Sequence, residues 1–247
     1  MIANLADRVR RAGRVVVVTG AGVSAASGIP TFRSAGGLWK NFRPEELATP
    51  QAFASHPDIV WEWYDWRRSQ IAAAEPNAAH HVLARWTRER RGTTLITQNV
   101  DGLHERAGAD DVIRLHGSIW ELSCRAGCDG GTRRWEDHSA RLEPCPPRCP
   151  SCGGLARPGV VWFGEALDQH VLTRALDAAT TCDVFLTVGT SAVVYPAAGL
   201  VHEAKRQGAF TAEINPDSTG ASSAVDLAIR DREEEVLPEV DRLLAAP

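Results

Sequence analysis

The segment Arg14-Val-Val-Val-Val-Thr-Gly-Ala-Gly-Val-Ser-Ala25 sets the organisation of the whole chain. Its first half is a β-branched run bounded by glycine, which is typical of a parallel strand buried on both faces. Its second half has the form G-x-G-x-x-A, whose glycines permit a tight turn and a close approach of the backbone to a pyrophosphate. Amides and a helix dipole behind such a turn favour negative charge. The segment predicts a strand leading into a phosphate-binding loop, with a ligand-free glycine turn as the alternative.

Further strands and helices alternate along the rest of the chain. Strand-like runs occupy residues 93–97, 112–115, 184–188 and 211–214. Helical patterns occupy residues 1–12, 78–90, 167–179 and 197–207. This alternation predicts an α/β fold with a doubly wound parallel sheet.

Two stretches interrupt the alternation. Residues 34–77 are rich in Trp and Pro and have a helical pattern, whereas residues 119–158 are rich in Cys, Gly, Pro and Arg. We interpret both as insertions that together form a small second module. The sheet domain would then consist of residues 1–33, 78–118 and 159–247.

Composition narrows the classes of function. The 247 residues are 44% hydrophobic and 23% charged, with a net charge of −4, which suits a globular core without disulfides. The acidic balance provides no broad basic field for nucleic acid and no polybasic patch for a membrane. A short amphipathic helix followed at once by a strand leaves little room for a leader, so we expect a cytoplasmic protein.

Four of the six cysteines form two close pairs, Cys124 with Cys128 and Cys149 with Cys152. In a chain without a secretion signal, this spacing favours metal binding over disulfides. Four thiolates suit a tetrahedral zinc with no open coordination position, which would hold structure together and do no chemistry. Cys145 is a nearby competing ligand, and Cys182 before a strand is interpreted as a buried core thiol.

One feature argues against an ordinary dehydrogenase. That fold expects an acidic residue about 20 residues beyond the glycine loop, at the end of the second strand, to hold the ribose. Here the corresponding region is Ala35-Gly-Gly-Leu-Trp39, with no evident strand. The sequence therefore predicts a bound dinucleotide outside the usual hydride-transfer arrangement.

Six blocks of sequence resemble the sirtuins, in that family's order and over nearly the whole chain. They are Gly20-Ala-Gly-Val-Ser-Ala-Ala-Ser-Gly-Ile-Pro-Thr-Phe-Arg33, Thr97-Gln-Asn-Val-Asp-Gly-Leu-His104, Leu115-His-Gly-Ser118, Val161-Trp-Phe-Gly-Glu165, Gly189-Thr-Ser191 and Glu213-Ile-Asn215. The resemblance implies a large Rossmann-like domain, a small zinc module and a cleft between them. It also implies acyl transfer from lysine to the ADP-ribose part of NAD, giving nicotinamide, O-acyl-ADP-ribose and free lysine.

The resemblance assigns roles to individual residues. Asn99, Asp101 and His116 would be catalytic, with His116 as the general base because imidazole titrates near neutral pH. A lone histidine is in general more often structural. The residues that would bind NAD are Gly20, Ala21, Gly22, Ser24, Ala25, Thr31, Phe32, Arg33, Trp39, Gln98, Asn99, Val100, Asp101, Gly189, Thr190, Ser191, Asn215, Pro216 and Asp217.

A Tyr-x-x-Arg pair suggests the acyl group. Tyr64 and Arg67 are three apart, which places both on one face of a helix, and a phenol with a guanidinium can hold a carboxylate. The sirtuin branch that removes succinyl, malonyl and glutaryl groups carries this pair, together with a small residue where Ala48 stands. The alternative is an aromatic-rich helix packed on the core, with Arg67 solvated.

By resemblance, the acylated lysines of many proteins would be the substrates, and their backbone would add as a strand along the cleft. The contacts would come from residues 160–164, including Val161, Trp162, Phe163 and Gly164, and from the region of residues 193–195. We expect a monomer that binds neither nucleic acid nor membrane.

One segment departs from the family pattern. Arg230-Asp-Arg-Glu-Glu-Glu235 stands where the family commonly places a Gly and an Ala, which puts the adenine contact around residues 231–233 in doubt.

The alternatives for the whole protein are a plain deacetylase, an ADP-ribosyltransferase, a dehydrogenase and a zinc-ribbon module for nucleic acid. The acidic charge and the glycine loop disfavour the zinc-ribbon module, and the missing ribose acid disfavours the dehydrogenase.

Overall fold

The first strand, β1 (Val15–Thr19), lies inside a six-stranded parallel sheet in the computed structural model, which describes residues 1–31, 42–128 and 134–245. The other strands of this sheet are β2 (Thr93–Thr97), β3 (Ile113–Arg114), β7 (Val184–Val188), β8 (Phe210–Ile214) and β9 (Leu227–Ile229). Their order is β3-β2-β1-β7-β8-β9, and every neighbouring pair is parallel. The predicted α/β fold with a doubly wound parallel sheet is confirmed.

Helices cover both faces of the sheet because alternate side chains of each strand point to opposite faces. Val15 and Val17 pack with α1 (Ile2–Arg11), α5 (Ala78–Glu89) and α9 (Glu233–Ala245). Val16 and Val18 pack on the other face with α7 (Gln169–Thr181) and α8 (Gly199–Arg206). Burial on both sides explains why β1 reads as an unbroken β-branched run rather than an alternating pattern.

The predicted elements of the sheet domain match the structure closely, with two omissions at the C-terminal end. Strands β2 and β7 have the predicted bounds, and the four predicted helices are present with ends shifted by up to two residues. Strand β9 and helix α9 were not predicted. Helix α9 contains Pro238, and a proline inside a segment is evidence against a helix there.

The chain outside the large sheet forms helices and a second, smaller sheet. Residues 42–73 fold as α2 (Pro44–Leu47), α3 (Pro50–Ser55) and α4 (Pro57–Ala73), in agreement with the helical pattern predicted there. The small sheet is antiparallel in the order β5-β4-β6 and consists of β4 (Gly117–Cys124), β5 (Arg134–Glu136) and β6 (Ala156–Val160). Its apolar side packs against α4 through Trp61, whose Nε1 donates to the Ala156 carbonyl at 3.0 Å.

Arg68 of α4 fixes this helix to the small sheet. Its guanidinium is fully buried and donates to the carbonyls of Ile119, Asp137 and Ser139 at 2.7–3.0 Å and to the Asp137 carboxylate at 2.6 Å. A buried charge is tolerated when it is paired and its donors are satisfied, as they are here. Across the described part of the chain, no helix combines the length and the apolarity that a membrane span requires.

Candidate functional site

The carboxyl ends of the parallel strands open into one cavity of about 810 Å³. After β1 the chain continues to β2 and β3 on one side of the sheet, and after β7 it continues to β8 and β9 on the other side. The two connections therefore leave a crevice between the loops that follow β1 and β7. Ligands of open α/β sheets bind at such a switch point. The residues after β1, β2, β3, β7 and β8 all line the cavity, which places the predicted site at the edge where this class of fold binds its ligands.

Nearly all predicted binding residues line this one cavity. For the cofactor these are Gly20, Ala21, Gly22, Ser24, Ala25, Thr31, Gln98, Asn99, Val100, Asp101, Gly189, Thr190, Ser191, Asn215, Pro216 and Asp217. For the catalytic and acyl-substrate roles they are His116, Ala48, Tyr64, Arg67, Val161, Trp162, Phe163 and Gly164. The remaining three, Phe32, Arg33 and Trp39, lie outside the described residues.

The glycine loop continues into a 3-10 helix, Ala21–Ser27, rather than an α-helix. Gly20 and Gly22 are required by a neighbouring loop: a Cβ on Gly20 would lie 2.7 Å from the Thr190 side chain, and a Cβ on Gly22 would lie 2.7 Å from Gly189. The Gly22 amide donates to the Gly189 carbonyl at 2.7 Å. The two glycine loops are therefore in direct backbone contact at the switch point, which closes the floor of the cavity.

Asn99 and Asp101 are held by a hydrogen-bond network at the loop after β2. Asn99 Nδ2 donates to the Gly20 carbonyl at 3.0 Å and to Ser24 Oγ at 3.2 Å, and Ser24 Oγ donates to Asp101 Oδ2 at 2.9 Å. Asp101 Oδ1 accepts from the Leu103 amide at 2.9 Å. Burial raises the pKa of the Asp101 carboxyl, and these two donors act in the opposite direction by stabilising its charge.

The position of His116 leaves one ring nitrogen available as a base. Its Nδ1 lies 2.9 Å from the Gln98 carbonyl oxygen, and because a carbonyl only accepts, Nδ1 carries the proton and donates. Nε2 then keeps its lone pair. Burial lowers the pKa of His116, although the bond to Gln98 acts in the opposite direction, so the neutral ring predominates at pH 7.

Two buried histidines behind the loop were not predicted as part of the site. His104 Nε2 lies 2.9 Å from Thr19 Oγ1, and His80 Nε2 lies 3.4 Å from Ser24 Oγ. Burial lowers the pKa of His80 to about 4 and that of His104 well below its usual value, so both are neutral. The sequence contained no local signal for His80, because it caps the start of α5 and meets Ser24 only in the folded chain.

One end of the cavity is formed by α4 and by the segment after β6, which carry the residues predicted to contact the acyl group. Trp162 Nε1 donates to Tyr64 Oη at 2.9 Å, and Phe53 packs on Trp162 with ring centroids 5.0 Å apart. Tyr64 is buried, and burial raises its pKa to about 12, so the phenol stays protonated. Arg67 is half-buried above Trp63, with its guanidinium carbon 5.1 Å from the ring centroid. Arg67 is therefore not a fully solvated side chain.

Residues 160–164 run along the cavity beside exposed apolar side chains. The Val161 amide donates to the His116 carbonyl at 3.0 Å, and the Phe163 amide donates to the Ala48 carbonyl at 2.9 Å. Phe163 exposes 42% of its surface, and Val194 and Tyr195, which line the same cavity, expose 37% and 73%. Exposed apolar residues along a groove mark a surface that a chain segment could cover.

The four paired cysteines come together as predicted. Their Sγ atoms all lie within 4.8 Å of one another, and the Cys124–Cys152 and Cys128–Cys149 pairs are 3.6 and 3.5 Å apart. A zinc bound at about 2.3 Å from each sulfur requires sulfurs about 3.8 Å apart, so the cluster fits a structural zinc. Cys145 is not part of this group among the described residues, and Cys182 is buried in the core, as predicted.

The fold and the cavity define a class: an α/β protein with a ligand site at the switch point of its parallel sheet and a four-thiolate metal site outside it. The model of the Sir2 family matches residues 20–196. The chain therefore belongs to the Sir2 family.

Named relatives and solved structures agree with this placement. The chain is 50% identical over 226 residues to an "NAD-dependent protein deacylase" of Aquifex aeolicus, covering 92% of this chain and 93% of the relative. It is 48% identical over 238 residues to "NAD-dependent protein deacylase 1" of Pseudomonas aeruginosa, with 94% of each covered. A solved Sir2 homologue in complex with NAD superposes with a TM-score of 0.92 at 47% identity, covering 98% of this chain and 93% of that one.

Proposed function

We propose that the chain is an NAD-dependent protein-lysine deacylase that removes succinyl and malonyl groups, and acetyl groups as well. The observation that carries the proposal is the single cavity that joins His116, Asn99 and Asp101 at one wall to Tyr64 and Arg67 at another. The relatives named as NAD-dependent protein deacylases support the coarser part of it. The acidic acyl group rests on the geometry of Tyr64 and Arg67.

The cavity fits a dinucleotide in size and in the groups that line it. A volume of about 810 Å³ lies in the range of cofactor sites. The amides at the start of residues 21–27 would face the pyrophosphate, and Asn215 with Asp217 would face a ribose. When bound, NAD supplies an ADP-ribosyl group whose sugar carbon accepts the acyl oxygen as the bond to nicotinamide breaks.

His116 would accept a proton from a ribose hydroxyl through Nε2. Its Nδ1 proton is held on the Gln98 carbonyl, which fixes the tautomer and aims the free nitrogen. Because burial lowers its pKa, the ring is neutral and ready to accept a proton at pH 7.

Asn99 and Asp101 would orient the nicotinamide amide. A ligand amide offers both donors and acceptors, and the Asn99 side chain offers both as well. The bonds that Asn99 and Asp101 make to the glycine loop and to Ser24 hold their side chains in place before a ligand arrives, which reduces the cost of ordering them.

Tyr64 and Arg67 would bind the terminal carboxylate of a succinyl or malonyl group. The Trp162 indole can only donate, so Tyr64 Oη accepts from it and keeps its own proton free to donate to a carboxylate. The half-buried Arg67 guanidinium would add a charge-assisted bond. Ala48, also at the cavity wall, leaves space for the longer acyl chain.

The remaining assignments complete the proposal. The zinc would hold residues 119–158 together without taking part in the reaction, since four thiolates leave it no open position. Residues 34–77 and 119–158 would form the small module, and the cleft between it and the sheet domain would take peptide substrates. A monomer acting on many proteins in the cytoplasm is the setting we propose.

The test is mass spectrometry of one succinyl-lysine peptide and its acetyl counterpart, each incubated with and without NAD. We expect loss of the succinyl group only with NAD, together with O-succinyl-ADP-ribose. Removal of acetyl alone would indicate a plain deacetylase. ADP-ribose attached to a protein, with the acyl-lysine intact, would indicate an ADP-ribosyltransferase.

A further inference from the structure

Glu233 places a carboxyl oxygen without a hydrogen-bond partner in the wall of the cavity. It is the first residue of α9 and is only 4% exposed, and its Oε1 accepts no hydrogen bond. This oxygen lies beside the loop after β7, since a Cβ on Gly189 would be 3.0 Å from it. Glu233 lies within the segment Arg230-Asp-Arg-Glu-Glu-Glu235, which is interpreted from the sequence as a departure from the sirtuin pattern.

The surrounding groups leave Oε1 itself without a hydrogen bond. Arg232 is exposed, and it forms an ion pair with Glu234 rather than with Glu233 Oε1. Burial raises the pKa of Glu233 to about 7; a hydrogen bond from its own backbone amide and the charge of Arg232 act against this shift, whereas Glu234 acts in the same direction. A buried polar atom without a partner is costly, and a donor brought by a ligand would remove that cost.

The position of Glu233 in the cavity identifies the part of the ligand that would reach it, if the proposed function holds. His116, Asn99 and Asp101 take the nicotinamide half of the dinucleotide. Glu233 lines the cavity with Gly189 and Asn215, which follow β7 and β8 and so lie on the other side of the switch point from the residues after β2 and β3. The other half of NAD ends in a purine, whose exocyclic amine at the 6-position is a hydrogen-bond donor.

We infer that Glu233 accepts a hydrogen bond from the 6-amino group of the bound purine and thereby selects an adenine dinucleotide over one with a 6-oxopurine. A 6-oxo group is an acceptor, so it would leave two acceptors facing each other in a buried position. Sites that hydrogen-bond a ligand reject analogues that cannot form the bond because the buried group of the protein is left unpaired. Glu233 is thus a specificity-determining residue at the base end of the cavity.

Calorimetric titration with NAD and with nicotinamide hypoxanthine dinucleotide, at pH 8 and without acyl peptide, tests the inference. At this pH the carboxyl is mainly ionised and can only accept. We expect the native chain to bind NAD roughly tenfold more tightly than the hypoxanthine analogue, which corresponds to one buried hydrogen bond.

Two substitutions of Glu233 separate recognition from packing. Glu233→Ala is expected to abolish the preference, bringing the ratio of the two dissociation constants to about one. Glu233→Gln is expected to bind the hypoxanthine analogue more tightly than the native chain does, because the amide N–H can donate to the 6-oxo group. A residue that only fills space would not produce this gain.

Glu235→Ala is the matched control. It removes the same charge two residues away, from an exposed side chain that does not line the cavity, and should leave the ratio unchanged. An unchanged ratio in Glu233→Ala, or equally tighter binding of both dinucleotides, would overturn the inference and make Glu233 a mere obstruction. If Glu233→Ala does not fold, the near-isosteric Glu233→Gln decides alone. Failure of the native chain to bind NAD at all would instead refute the proposed function.

Discussion

The two walls of the cavity are built in different ways. The wall from the parallel sheet consists of short loops at strand ends, in which Asn99, Ser24 and Asp101 are hydrogen-bonded to one another. The other wall comes from α4 and the segment after β6, where Tyr64 and Arg67 lie among aromatic rings. Under the proposed function, the sheet wall would carry out the chemistry, which is the same for every acyl group, and the helical wall would select the acyl group.

Replacing His116 should produce the largest effect and should affect every substrate. His116→Tyr removes the only base proposed for the ribose hydroxyl, and general bases contribute on the order of 10²–10⁴ in rate. We expect turnover of succinyl- and acetyl-lysine peptides to fall by at least about 10²-fold, with an unchanged circular dichroism spectrum. Normal turnover of either peptide would remove His116 from the mechanism. It would also contradict the assignment of the chemistry to the sheet wall.

Loss of the zinc should destabilise residues 119–158 and leave the six-stranded sheet folded. Cys149→Ser leaves three thiolates, and we expect zinc content to fall in metal analysis and proteolysis to begin within residues 119–158. The six-stranded sheet has its own two-sided core and should stay protected from hydrogen exchange. Cys145→Ser, outside the cluster, should retain one zinc per chain. Equal protease sensitivity of both sheets in Cys149→Ser would show that they do not unfold separately.

Replacing Arg67 should have a smaller effect that depends on the substrate. Arg67→Met keeps much of the apolar stem and loses one charge-assisted bond, so KM for succinyl-lysine peptides should rise roughly 10- to 100-fold. KM for acetyl-lysine peptides should hardly change. The exposed Arg91 offers a control, and Arg91→Met should alter neither value. An equal rise for both peptides would mean that Arg67 supports the cavity and does not select the acyl group.

The sequence predicted the sheet wall better than the rest of the molecule, for physical reasons. The run at residues 15–19 and the glycines after it depend on local backbone requirements, and the cysteine pairs depend on metal geometry, so both are readable from spacing. Gly22 also makes room for Gly189, which lies far along the chain, and the sequence did not predict this contact. Contacts between loops that are distant in the sequence leave no pattern in the local sequence.

Long-range contacts also explain what the sequence did not reveal. His80 and His104 enter the network only because α5 and the segment after β2 meet behind the glycine loop. The small sheet was missed because β5 has three residues and β6 contains Pro158 and Gly159, which are unfavourable in strands. Glu233 was recognised as a departure from the family pattern, whereas its unpartnered oxygen became visible only in the structure.

The smallest expected effect is a shift of the acid limb of the pH profile, which should be the same for substrates with different acyl groups. Because burial lowers the pKa of His116, its basic form persists below the ordinary imidazole value of about 6.5. We expect kcat/KM to be level near pH 7 and to decline on the acid side with a midpoint below about 6.5, since protonation removes the base. The midpoint should be the same for succinyl- and acetyl-lysine peptides, because His116 serves both. A midpoint that differed between the two peptides would assign the titration to the acyl carboxylate and its partners on the helical wall, and not to the sheet wall.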